Sequence, residues 1–142
     1  MNTKITYGID EVPKIVEYLK ELLKTCTVIT FTGPLGAGKT TLTRLLLQRC
    51  GITDLITSPT FTYVNVYENE QGQTFYHFDC YRIKTTEDFK AAGFDEYLYQ
   101  PNSFVFIEWP EIVKPLLTHD VCHVTIEYEG DKRTMNIECN AQ

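Results

Sequence analysis

The chain has 142 residues, 43% of them apolar, the size and composition of one domain with one core, so a single domain over residues 1–142 is expected. No run approaches the roughly 20 apolar residues of a membrane span, and the opening MNTKITYGIDEVPK lacks the apolar centre of a secretion signal, so the expected location is the cytoplasm, with no membrane partner. A net charge of −6 disfavours unaided gripping of a phosphate backbone, and five widely spaced cysteines without a Cys-x-x-Cys pair predict neither a disulfide framework nor a zinc site.

Val12, Ile15, Val16, Leu19, Leu22 and Leu23 recur at three- and four-residue spacing, which predicts a helix with one apolar stripe. Residues 27–32 (TVITFT) are short and β-branched and predict a buried strand. A glycine-rich loop follows directly, then TTLTRLLLQRC predicts a helix with Leu42, Leu45 and Leu46 inward, closed at Gly51. Residues 53–59 read as a loop because Ser58-Pro59 interrupts any periodicity. Residues 60–68 and 74–81 flank a turn at 69–72 and predict a hairpin; residues 85–92 predict a short helix stopped by Gly93. Residues 104–107 are an apolar run closed by Glu108, and residues 121–128 and 134–139 predict a second hairpin around Glu129-Gly130-Asp131. The sum is an α/β fold with a mixed central sheet flanked by helices.

Gly33-Pro34-Leu35-Gly36-Ala37-Gly38-Lys39-Thr40 satisfies G-x-x-x-x-G-K-[ST] between a predicted strand and a predicted helix, the context this motif requires. Glycines let successive backbone N–H groups turn inward around phosphate oxygens, and the helix N-terminus adds positive potential. Gly36, Ala37, Gly38, Lys39, Thr40 and Thr41 are therefore the candidate phosphate-binding residues. Lys39 neutralises the terminal phosphates, and Thr40 offers a hydroxyl to Mg2+. A magnesium-dependent hydrolase also needs a carboxylate near the metal and a group to orient water. Asp79 and Glu108, each at the end of an apolar extended run, are the candidates for both tasks, and the sequence does not separate their roles; the plain alternative for either is a solvated strand cap. Trp109 is a candidate for stacking on a base or a partner, or an ordinary core or partly buried edge. Residues 57–61 lie where γ-phosphate-sensing loops occur, or form a plain Ser-Pro turn. His119 and His123 lack ligand spacing and are assigned no metal.

The P-loop, Ser58-Pro59-Thr60-Phe61, His77-Phe78-Asp79-Cys80-Tyr81-Arg82, Gly93-Phe94-Asp95-Glu96-Tyr97 and Ile107-Glu108-Trp109-Pro110, in this order, resemble the bacterial TsaE family from about residue 28 to residue 111. The resemblance implies a P-loop ATPase needed to make threonylcarbamoyladenosine in tRNA, using ATP and Mg2+ and working with TsaD and TsaB, with tRNA reached through that complex. It also implies that Lys39 and Thr40 bind phosphate and metal, that Asp79 and Glu108 serve metal and hydrolysis, and that residues 58–60 form the family's switch. Two positions depart from the family pattern: Pro34 replaces an acid whose side chain points away from the phosphate cradle, and Glu11-Val12-Pro13 replaces a threonine on the base side.

The alternatives are a small-molecule kinase and a nucleotide-gated assembly module with little hydrolysis. A kinase usually carries an arginine-rich lid, whereas only Arg82 and Arg133 lie beyond the P-loop helix, and no Asn-Lys-x-Asp motif supports a GTPase.

Overall fold

Apolar periodicity becomes two helices on one face of a sheet. In the computed structural model, which describes residues 2–60 and 62–140, helix α1 (Val12–Leu22) buries Ile15, Val16, Leu19 and Leu22 and takes Pro13 in its first turn, where the missing N–H costs nothing. Helix α2 (Lys39–Arg49) buries Leu42, Thr43, Leu46 and Leu47. Leu45, expected inward, is only half-buried, because Leu47 completes the stripe one turn after Thr43. Gly51, at φ 95°, takes the left-handed position just beyond the helix, as expected.

The strands are β1 (Asn2–Tyr7), β2 (Val28–Thr32), β3 (Val64–Glu68), β4 (Thr74–Asp79), β5 (Ser103–Glu108), β6 (Val121–Glu129) and β7 (Lys132–Asn140). They form one seven-stranded sheet in the order β1-β7-β6-β2-β5-β4-β3. The β6–β2–β5–β4 centre is parallel, and the hairpins β3–β4 and β6–β7 and the β1–β7 pair are antiparallel. The mixed sheet predicted from the sequence is thus observed.

Alternation along the central strands divides the core. Ile29, Phe31, Phe75 and Phe106 meet α1 and α2 on one face. Val28, Phe78, Val105 and Ile107 meet Phe89 of α3 (Thr86–Ala91) on the other, and Thr85 caps α3 by accepting a 3.0 Å bond from the Asp88 N–H. Thr30, buried in β2, is satisfied by His123 Nδ1 at 2.7 Å, so His123 has a structural partner.

Several boundaries differ from the expected ones, each for a local reason. Strand β1 was not predicted: only Ile5 and Tyr7 pack inward, and its stability comes from the ladder to β7, from Asn2↔Glu138 to Tyr7↔Arg133. β3 starts at Val64 because Tyr63, at φ 67°, leaves the extended region, its N–H bonding Pro59 O at 2.8 Å. β4 stops at Asp79 because its Oδ1 accepts the Tyr81 N–H at 3.0 Å and turns the chain.

The cysteine expectation is corrected. Cys122 and Cys139 lie directly opposite on β6 and β7 and are joined as a disulfide. Sequence spacing did not reveal the pair because the hairpin register, not proximity along the chain, brings them together. Cys26, Cys50 and Cys80 are free thiols, and burial pushes them up to about 12, 11 and 12.

A pH dependence follows for the two buried thiols, Cys26 and Cys80. Above their ordinary value of 9.0 they ionise first in the unfolded chain, which then binds fewer protons than the fold. Stability is therefore full below pH 9 and falls as pH rises, by at most about 1.4 kcal/mol per unit for each thiol. Urea unfolding at pH 8, 9.5 and 10.5 should show this decline, with a smaller slope in Cys26→Ala.

Candidate functional site

The P-loop (residues 33–38) and the two candidate acids meet because three parallel strands end together. β2 runs into the loop, β4 ends at Asp79 and β5 at Glu108, with Phe31↔Glu108 and Asp79↔Glu108 in register. β2 has β5 on one side and β6 on the other, so the chain's later strands diverge around it. A crevice at the carboxyl ends of such strands is where open α/β sheets bind ligands.

Gly33 is glycine for a steric reason: a Cβ there would lie 2.6 Å from Ile126 O, a backbone atom of β6 that cannot yield. Gly36, at φ 82°, has the Tyr128 hydroxyl 2.9 Å from where a Cβ would stand, and that hydroxyl donates to Leu35 O at 3.2 Å. Gly38, at φ 98°, precedes α2 with open space where its Cβ would be. The loop is thus buttressed by β6 beneath and left open toward the crevice.

Lys39 is 5% exposed; its Nζ donates to Gly33 O and lies 3.5 Å from the centroid of the Trp109 ring. Burial lowers its pKa, and the nearby carboxylates Glu108, Glu111 and Asp79 oppose that shift. Among the described residues no carboxylate lies within ion-pair distance of Nζ. The charge is therefore placed in a site that would be completed by an anion. Trp109 reaches the lysine because its backbone is left-handed, φ 56°, a rare conformation for a bulky residue that turns the chain immediately after Glu108. The Trp109 ring also meets Tyr81, at 4.9 Å between centroids.

Glu108 is 2% exposed and accepts two hydrogen bonds: Thr40 Oγ1 donates to Oε1 at 2.7 Å, and His77 Nε2 pairs with Oε2 at 2.6 Å. Asp79 has different partners. Besides the Tyr81 N–H, its Oδ2 accepts from Thr60 Oγ1 at 3.3 Å, and Thr60 is linked to Ser58 Oγ at 2.7 Å. Phe61, the last residue of the expected 57–61 loop, lies outside the described residues.

Two cavities open on either side of the loop. One, of about 280 Å³, is lined by Gly36, Gly38, Lys39, Thr40, Thr41, Thr60, Asp79, Glu108 and Trp109 with Leu35. The second, of about 350 Å³, shares Gly36, Gly38 and Thr41 but is mostly apolar, with Tyr7, Ile9, Val12 and Leu42, and carries Asp131 and Arg133. The first is hydroxyl- and carboxylate-rich around one cation, the donor chemistry for phosphate with a hard metal ion. Among the described residues no three His, Cys, Asp or Glu side chains form a metal-holding set by themselves.

The family model described as "Threonylcarbamoyl adenosine biosynthesis protein TsaE" matches residues 7–136. The chain belongs to the TsaE family. The TsaE protein of Haemophilus influenzae is 39% identical over 130 residues, which cover 91% of this chain and 80% of that protein. The Rickettsia felis protein is 36% identical, covering 93% of this chain and 77% of its own length. The crystal structure of Bacillus subtilis YdiB superposes with a TM-score of 0.72 at 27% identity, covering 96% of this chain and 84% of that one. The P-loop fold is therefore shown, and the family's role lies in threonylcarbamoyladenosine biosynthesis.

In this TsaE chain Gly36, Gly38, Lys39, Thr40, Thr41, Asp79, Glu108 and Trp109 line the polar cavity, and Ala37 lines its apolar neighbour. Trp109 is beside the lysine and is absent from the apolar cavity's lining. Sequence reasoning gave no role to His77, Tyr128 or Tyr7. His77 could have been found from period two along β4, which puts it on the same face as Asp79. Tyr128 depends on the β6 register and had no local signal.

The close approach of β6 generates a test. Gly33→Ala forces Cβ against a backbone carbonyl and should cost roughly 1–3 kcal/mol while displacing the loop. Gly8→Ala, whose Cβ would meet nothing nearer than 3.9 Å, should be near neutral. Denaturant unfolding and nucleotide titration of both variants check the contrast.

Proposed function

We propose that this chain is a magnesium-dependent ATPase that serves threonylcarbamoyladenosine modification of tRNA in the cytoplasm, in complex with TsaD and TsaB, as a single P-loop domain. The observation that carries the reading is the convergence of Lys39, Thr40, Asp79 and Glu108 on one polar cavity behind a glycine-rich loop. Backbone N–H groups of residues 36–40 hold the phosphates, and Lys39, which has no ion pair among the described residues, supplies the point charge. Thr40 and Glu108 would supply the protein oxygens toward Mg2+, which would neutralise charge on the phosphates. Asp79, tied to Thr60 instead, is the group that orients water and couples it to residues 58–60. The apolar cavity suits the nucleoside end, with Val12 and Tyr7 as walls where the family's usual threonine is missing.

The relatives' names carry the biological process, and the net charge of −6 agrees with tRNA being held by other chains. Only Arg82 and Arg133 follow the P-loop helix in the sequence, and phosphoryl transfer gains 10³–10⁵-fold or so from an arginine at the γ-phosphate. A partner chain is the natural source. Hydrolysis by the isolated protein is accordingly slow.

Phosphate release measured for the chain alone, with TsaD, with TsaB and with both should be fastest with both, with tRNA modification scored in the same reactions. Lys39→Ala should lose ATP-induced thermal stabilisation, worth about 2.7 kcal/mol at 100 times Kd, together with activity. Glu108→Ala should keep most nucleotide affinity and lose hydrolysis. Equal rates in all mixtures would reject partner activation, and full tRNA modification by Glu108→Ala would favour a nucleotide-gated assembly module.

A further inference from the structure

His77 sits in the middle of β4, 1% exposed, on the face that carries Phe75 and Asp79, opposite Phe106. An apolar residue would fill such a position without desolvation cost. Instead the imidazole makes one hydrogen bond, from Nε2 to Glu108 Oε2, while Nδ1 is buried with no partner among the described residues. The Nε2–H tautomer gives the carboxylate a donor and leaves Nδ1 as an unpaired acceptor, which is the less costly orphan. A buried group that accepts this penalty for a single bond is explained by what that bond does.

The bond restrains Glu108. Its two donors come from different elements, Thr40 from the first turn of α2 and His77 from β4, and each takes one carboxylate oxygen. A Thr40 hydroxyl that ligated Mg2+ through an oxygen lone pair would keep its O–H for Oε1. Among the described residues His77 is the other donor to the carboxylate, and it holds the second oxygen. We propose that His77 is a positioning residue that holds Glu108 Oε2 and so keeps Oε1 turned toward Thr40 and the metal position. The inference rests on the Mg2+-dependent nucleotide binding proposed above, and it does not require His77 to touch nucleotide or metal. Carboxylates that ligate metals are commonly oriented in this way, and loss of such partners costs 10–100-fold or so in metal affinity or activity.

The test uses the full chain and variants His77→Gln, His77→Asn and His77→Leu. Gln places an amide N–H near the Nε2 position, Asn places it near Nδ1, and Leu offers none. Mg2+ is titrated at fixed non-hydrolysable ATP analogue, reading the fluorescence of Trp109, the single tryptophan, which lies over Lys39. His77→Leu and His77→Asn should raise the Mg2+ needed for half-saturation roughly 10–100-fold, with His77→Gln close to wild type and metal-free nucleotide affinity unchanged in all. A purely structural histidine would give Gln and Asn equal effects, or lower the binding amplitude without moving the midpoint, and either result overturns the proposal. If His77→Leu does not fold, the Gln and Asn pair decides, since both carry the same amide. Wild-type protein whose nucleotide affinity ignores Mg2+ would reject the parent reading and this one together. A normal wild-type response with unshifted variants rejects the positioning role alone.

Discussion

Lys39 Nζ is held between the Gly33 carbonyl and the face of Trp109, and desolvation works against its charge more than the neighbouring carboxylates support it. Most of the site's construction follows from placing that ammonium group. The loop must curl so that a carbonyl at its start faces a side chain at its end, which requires left-handed backbone at Gly36 and Gly38. Trp109 must turn back at a positive φ to cover the cation. The acids at the ends of β4 and β5 must be near enough to keep the lysine charged, yet not so near that they quench it.

The sheet order makes this possible with few residues. Because β2 is central and β5 and β4 follow on one side, Phe31, Glu108 and Asp79 fall in one row at the strand ends. The other side of β2 has a mechanical task. Strand β6 runs beneath the loop so closely that only glycine fits at 33, and Tyr128, whose ring packs against Arg133, ties the loop at Leu35. The β6–β7 hairpin and β1 thus set the position of the P-loop and form one wall of the apolar cavity. A pocket's two halves, one charged and one apolar, come from opposite sides of a single strand.

Those halves were unequally legible in the sequence. The charged half could be read because its residues sit in a contiguous motif or at the end of an apolar run, and short-range rules reach both Lys39 and Glu108. β1 has no apolar run, the Cys122–Cys139 bridge depends on hairpin register, and Tyr128 reaches the loop from 93 residues away. All three are products of pairing between distant strands, which period and propensity do not encode. Likewise Tyr63, whose left-handed backbone delays β3, is unremarkable in sequence, since its conformation is imposed by the bond to Pro59. Asp79 and Glu108 looked equivalent as strand-end acids, and only their partners distinguish them.

That distinction bears on how catalysis by such a site would be controlled. Glu108 is anchored inward, to a buried histidine and to the first turn of α2, so its geometry belongs to the rigid part of the fold. Asp79 is held through Oδ1 by the Tyr81 N–H at 3.0 Å, and its Oδ2 is joined to the Ser58–Thr60 segment only by the longer 3.3 Å bond from Thr60. That segment has neither helix nor ladder to hold it. A weak bond to a loop is a poor means of fixing a carboxylate, but it is a good means of making the carboxylate respond to whatever holds the loop. On the proposed reading, binding of phosphate and metal would be preorganised in the isolated protein, while Asp79, the acid proposed to orient water, would respond to residues 58–60. Under the ATPase reading proposed above, such a site would couple hydrolysis to whatever surface orders the loop.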